Sequence, residues 1–305
     1  MLQADSARNR LTGIGIVSLT YLLFSLLDGS AKWLVGTMPV IMVVWLRFAM
    51  HAVMATALFL PLRGAALVKT SHWRWHLVRA LMFMAMTGIN FWALQYLQLT
   101  VTSSIFFTVP IIIALVSTLA FGERLDAARW TAIVAGFAGV LVIVHPGAAD
   151  FHPAMLAAIV NAIMYAGVMM MTRHLAAYDP PETIQFLPAI GATLILTPFA
   201  IAAWEAPDTW LEWALACTLG VFGGVGHYLL ALAHRYAPSS AIAPFVYQQV
   251  IYMALFGYLV FGDVPGSAVW IGAAIVVVSG LYLFARERKV LGAKVVGPAS
   301  DIATQ

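Results

Sequence analysis

Three ionisable residues stand in stretches otherwise too apolar to meet water: Asp28, Lys32 and Arg47. Asp28 and Lys32 are four apart, so on a helix they share a face and can pair. Arg47 lies a turn or two into the next apolar run. A charge inside hydrocarbon is costly, which makes each of the three a functional candidate. Together they could hold an anionic or zwitterionic ligand, or pass protons through Asp28. The other reading is structural, with Asp28 neutralising Lys32 or Arg47 to tie two helices together. One acid against two bases leaves a positive charge over. Lys32, nearer a helix end, reaches an interface more easily than Arg47 does.

A second set is uncharged. Asn161 and Tyr165 share a face by the same spacing, and Pro244, Gln248 and Tyr252 form a stripe flanked by Tyr247 and Gln249. Pro244, and Pro110 in an earlier run, each remove a backbone donor and free a carbonyl. Interrupted helices at related places in two halves point to a binding site, the alternative being kinks that serve packing. His227 follows Gly220, Gly223, Gly224 and Gly226. It reads as a hydrogen-bonding bridge or a proton relay. Gly220 and Gly224 fit close helix approach. Asn90, Gln95 and Gln98 do not share one face, so at least one of them makes only an interhelical contact. Rings such as Tyr21, Phe24, Trp45, Trp92, Phe106 and Phe107 could stack a flat heterocycle. The candidate ligand-binding set is therefore Asp28, Lys32, Arg47, Trp92, Phe107, Asn161, Tyr165, His227, Tyr247 and Gln248.

Covalent or cofactor chemistry finds no support. There is no phosphate-cradling loop with lysine, no HExxH and no serine elbow. His72 and His76 lack carboxylates at metal-ligand spacing. The single Cys217 excludes an internal disulfide and reads as a packing thiol in an apolar run. We expect no enzyme activity, no metal and no cofactor.

The elements that must position these residues follow from composition. The 305 residues are 62% hydrophobic and only 10% charged, with a mean hydropathy of +0.91. A soluble domain carries about 25% charged residues. Ten apolar spans are expected, near 12–34, 40–60, 76–97, 101–121, 128–145, 153–173, 183–203, 210–232, 239–261 and 267–285. Short alternating segments of a β-barrel are not visible. With the N-terminus inside, the inner loops and adjoining helix ends collect the basic residues, from Arg8 and Arg10 to Arg286, Arg288 and Lys289. The outer loops hold Asp150, Glu205, Asp208 and Asp263 and no Lys or Arg. The basic balance is thus a topology signal, and no nucleic-acid partner is expected. The first span reads as retained rather than as a cleaved signal, because Asp28 and Lys32 flank a poor cleavage site. Trp33, Trp73, Trp75, Trp204, Trp210 and Trp213 fit membrane interfaces.

The spans repeat. Phe121-Gly122-Glu123 recurs as Phe261-Gly262-Asp263, and Trp130 as Trp270, at an offset of 140. Lys32, Leu34 and Pro39 match Arg173, Leu175 and Pro180 at an offset of 141. Each half holds five spans. Five is odd, so the halves enter the membrane from opposite sides, with a central site between them. The fold expected is an all-α membrane protein of ten transmembrane helices in two inverted five-helix repeats, 11–146 and 153–286, with a tail over 287–305. Glu123, Arg124 and Asp126 would close a short inner turn. Intramembrane charges argue against a purely structural or sensory membrane protein.

The segment from Tyr96 to Gly147, with "SSIFFTVPIIIALVSTLAFGERL", resembles the second half of a repeat of the EamA type in the drug/metabolite transporter superfamily. Arg235 to Pro265 resembles its counterpart in the other repeat. "LLDGSAKWL" (Leu26 to Leu34) with "WLRF" (Trp45 to Phe48) is similar to the opening of a subgroup that includes bacterial riboflavin transporters. The resemblance covers roughly 11–286. It implies ten helices, both termini cytoplasmic, the bacterial inner membrane, and a central cavity for a small metabolite. Riboflavin is the first cargo expected, and S-adenosylmethionine or an amino-acid-like solute the alternative. The direction of transport is left open, as is a homo-oligomer.

Overall fold

The structure, a computed structural model, describes residues 7–121, 127–145, 151–237 and 243–295. Among these it is helical throughout. The helices are α1 (Ala7–Leu34), α2 (Val40–Arg63), α3 (Trp73–Leu94), α4 (Leu99–Phe106), α5 (Val109–Phe121), α6 (Ala127–Val144), α7 (Ala154–Leu175), α8 (Pro181–Ala202), α9 (Trp210–Tyr236), α10 (Gln249–Phe261) and α11 (Ser267–Val295). Short 3₁₀ turns cover Gly64–Val68 and Ala243–Gln248. Six helices are long and apolar enough to cross a membrane, and Leu99–Ile113, Trp130–Val144, Phe245–Phe261 and Ser267–Leu283 supply the shorter apolar spans. The chain is a multi-pass membrane protein of ten spans, with α4 and α5 forming one broken span.

Local chemistry sets the ends. Pro39, Pro153 and Pro180 precede α2, α7 and α8, where a missing N–H is harmless. Thr209 and Glu212 form a reciprocal capping box on α9. Gly262 ends α10 at φ +68°, a left-handed position that suits glycine. The fourth span breaks at Phe107-Thr108. Pro110 has no N–H for the Phe106 carbonyl, and the hydroxyls of Thr102, Ser103, Ser104 and Thr108 bond back to preceding carbonyls at 2.7–3.1 Å. The ninth span opens as 3₁₀ before turning α-helical at Gln249. Both spans that carry Pro110 and Pro244 are thus irregular.

Helix packing obeys an exchange of the two halves. If α1, α2 and α3 are matched with α7, α8 and α9, the α1–α9 contact maps onto α3–α7, and α2–α9 maps onto α3–α8. The α1–α10 contact maps onto that of α7 with α4 and α5. The pairs α2–α8, α4–α10 and α6–α11 map onto themselves. This is the pattern of a pseudo-two-fold axis between five-span repeats.

Large apolar side chains such as Leu62, Val134, Ile163, Leu194, Ile251 and Val278 face outward, as a lipid-facing surface requires. The six tryptophans expected at interfaces are all exposed at or just beyond helix ends. One expectation changes. Cys217 is exposed on α9 and is not a packing thiol. The last apolar span, Ser267–Leu283, falls where 267–285 was expected, and its helix continues to Val295 through residues with good helix propensity. Glu123, Arg124, Asp126 and Asp150 lie outside the described residues.

Candidate functional site

A cavity of about 370 Å³ lies between the repeats. Seven of the ten candidate residues line it. Asp28 comes from α1, Arg47 from α2, Asn161 and Tyr165 from α7, and His227 from α9. Phe107 and Tyr247 come from the breaks in the fourth and ninth spans. Those breaks turn the chain inward where a straight helix would carry it past. Further lining comes from α3, α4, α5 and α10, and α11 adds Gly280 and Leu281. From Asp28 and Arg47 the cavity runs toward Val17, Ile113, Leu230 and Leu281, the end that carries the N-terminus of α1.

The walls are mainly aromatic. Phe106 meets Tyr165 edge-on at 4.6 Å between ring centroids, and Phe107 meets Tyr247 at 5.1 Å. The Tyr247 hydroxyl occupies the space that a Cβ at Gly280 would take. His227 packs against Phe24 at 5.0 Å and Phe83 at 6.0 Å. It is therefore a ring in the wall, with no hydrogen-bonding bridge from it among the described residues.

Polar groups cluster around Asp28 at one end of the cavity. The Asn90 amide donates to Asp28 Oδ1 at 3.2 Å, and the Asn161 amide approaches Asn90 Oδ1 at 3.5 Å. Arg47 is 5% exposed, with its guanidinium 4.7 Å from the Phe48 ring and 4.8 Å from that of Phe83. Asn90 and Gln249, outside the candidate set, also line the cavity. The spacing of Asn90 from Thr87 (i,i+3) and Phe83 (i,i+7), which puts all three on one face, is hidden in a sequence where every face is apolar.

Three candidates lie elsewhere. Lys32 does not pair with Asp28. Its ammonium donates to the Leu97 carbonyl at 2.7 Å and to Asp263 Oδ2 at 3.1 Å, beside the Phe261 ring. Lysine in the last turn of α1 extends toward the helix end, away from a residue one turn earlier. With Gln95 donating to the Val35 carbonyl at 2.8 Å, this contact ties the molecule together beyond Asp28. Gln248 turns to α1, where its Oε1 accepts from the Ser18 hydroxyl at 3.2 Å. The 3₁₀ turn has three residues per turn, so the α-helical stripe of Pro244, Gln248 and Tyr252 does not form, and Gln249 faces the cavity instead. Trp92 is 38% exposed on the outer face of α3, edge-on to Tyr96. Gln98 reaches only the Val264 carbonyl, at 3.5 Å.

Two inverted repeats enclosing an aromatic cavity with a few polar groups define the architecture of a membrane transporter. Residues 11–145 and 152–285 both match the EamA-like transporter family, and the chain belongs to that family. It is a transporter and not an enzyme. It is 32% identical to a riboflavin transporter of Vibrio cholerae over 235 residues, 73% of this chain and 75% of that one. It is 26% identical to an S-adenosylmethionine uptake transporter of Rickettsia bellii over 292 residues, 95% of this chain and 99% of that one. A protein crystal structure, 19% identical, superposes with a TM-score of 0.60 over 94% of this chain and 99% of that one, a likeness of fold.

Proposed function

We propose that the chain is a secondary transporter of a small, flat metabolite across the bacterial inner membrane, with riboflavin or a similar vitamin as the cargo to test first. The observation that carries this reading is the cavity between the repeats, walled by Phe106, Phe107, Tyr165 and Tyr247, with few polar anchors. Flat rings gain most from such walls. Both termini lie in the cytoplasm, following the Lys and Arg distribution. The repeats rock about the cavity in alternating access, driven by a gradient or by facilitated flow, since no nucleotide-binding motif is present. S-adenosylmethionine is the second reading. The observation favouring it is the withdrawal of Lys32 to Asp263, which leaves one acid and one base at the cavity, a balance that does not repel a cationic cargo as a surplus base would.

The experiment is riboflavin uptake by cells that cannot make riboflavin, with and without this chain. Faster uptake and growth at limiting riboflavin are expected. No gain at any external pH overturns riboflavin as cargo.

A further inference from the structure

Arg47 is a buried cation whose one acid at the cavity, Asp28, does not reach it as a salt bridge. It takes part in none of the ion pairs among the described residues, and its Nη1 has no hydrogen-bond partner. The Phe48 and Phe83 rings fix the guanidinium, but ring faces accept no N–H in the plane of the fork. Gly223 brings α9 close beside it, with a Cβ there standing at ordinary contact distance, 3.6 Å, from Nη2. A second orphan faces the same cavity. Asn161 is 5% exposed, and its Oδ1 is buried without a partner. Its amide is turned to Asn90 Oδ1, which fixes Oδ1 as the free acceptor. Asn90 in turn donates only to Asp28 Oδ1, leaving the other Asp28 oxygen without a hydrogen bond among the described residues.

Buried polar groups are normally satisfied, and a set of them left open on one cavity points to a ligand. The inventory is specific. It offers a forked cationic donor, a carboxylate oxygen and an amide oxygen. Arg47 and Asp28 sit on consecutive helices and line the same cavity without pairing within 4 Å among the described residues. A lone anion would satisfy Arg47 and be repelled by Asp28; a lone cation would do the reverse. A group carrying both charges satisfies both.

We propose that Arg47, Asp28 and Asn161 form a two-point clamp for a zwitterionic head of the α-amino-acid kind. The carboxylate sits on the Arg47 fork, and the ammonium is shared by Asp28 and Asn161 Oδ1. The rest of the substrate lies along Phe106, Tyr165 and Tyr247. The inference rests on the reading of this cavity as the transport site, and it ranks a heterocycle bearing an amino-acid head above riboflavin.

The test is binding to the purified, full-length protein in lipid nanodiscs. The probes are S-adenosylmethionine, its decarboxylated analogue, its deaminated analogue and riboflavin. Loss of either charge from the head is expected to weaken binding at least tenfold. In Arg47→Gln the intact and decarboxylated probes should bind alike, while Arg47→Lys restores part of the gap. The comparison among probes on the unmodified protein stands even where a variant does not fold. Equal binding of intact and head-stripped probes, or no binding of the intact one, overturns the clamp. So does binding of the intact S-adenosylmethionine probe that Arg47→Gln leaves unchanged. Ile113→Trp fills the end of the cavity away from the clamp. If riboflavin binding falls with Ile113→Trp while the head proves irrelevant, only the clamp fails. If no probe responds to Ile113→Trp, the cavity reading itself fails.

Discussion

The contact of Lys32 with Asp263 joins α1 of the first repeat to the turn after α10 of the second, and its removal should be measurable. At 3.1 Å the Coulomb attraction is roughly 5 kcal/mol at an effective dielectric of 20. Desolvation and side-chain ordering offset most of it. Because the two side chains remain 14% and 19% exposed, a net coupling of about 1–2 kcal/mol is left. The two single variants should differ in cost. Asp263→Asn leaves the ammonium bonded to the Leu97 carbonyl at 2.7 Å, whereas Lys32→Met strands both Asp263 and that carbonyl. Lys32→Met should therefore be the more damaging, by a margin of about 1 kcal/mol. The assay is thermal unfolding of the four proteins of the cycle in one detergent and one salt. The double variant should lose less than the sum of the singles. Additivity within about 0.5 kcal/mol would show that the ion pair contributes nothing and that Lys32 is held by the carbonyl alone.

Packing gives further expectations. A Cβ on Gly220 would overlap the backbone of Met50 and His51, which cannot yield without moving α2. Gly220→Ala should cost about 1–3 kcal/mol in thermal unfolding. A Cβ on Gly224 meets the flexible tip of Met54, so Gly224→Ala should cost less, and Gly15→Ala, with open space around it, should be neutral. At the other end of the molecule, buried Asp179 binds His76 Nε2 and the Thr70 hydroxyl, both at 2.8 Å. Asp179→Ala strands two buried groups and should cost about 2 kcal/mol or more. Glu182→Ala breaks a half-exposed pair with Arg63 and should cost under about 1 kcal/mol on the same melting scale.

The spans and their repeat were legible because length and apolarity are properties of single segments. The breaks at Phe107 and before Gln249 were legible through Pro110 and Pro244, which act on their own backbone. Lys32 shows where local rules stop. Its i,i+4 neighbour Asp28 is the nearest acid in sequence, but the partner it finds is 231 residues away. Trp92 shows a different limit. In a soluble helix the polar face marks the outside, whereas here lipid and interior are both apolar, and nothing in the α3 pattern says which way Trp92 points. Gln248 was misplaced because a single turn of 3₁₀ helix rotates everything after it relative to an α-helical register.

The pseudo-two-fold packing makes the asymmetry of the cavity informative. Exchange of the halves carries α1 onto α7, so the span that supplies Asp28 matches the span that supplies Asn161 and Tyr165. It likewise carries α2 onto α8, yet Arg47 has no charged counterpart lining the cavity from α8. Backbone symmetry is what a two-way rocking motion uses, and it is retained. Side-chain symmetry would give a cavity with matched charges on both sides, which repels or traps a substrate from either direction. With the acid and the base confined to the first repeat, the proposed clamp would hold a charged head mainly on α1 and α2, the second repeat adding only the neutral Asn161. The repeat that lacks the charges can then move past the substrate without breaking a buried ion contact.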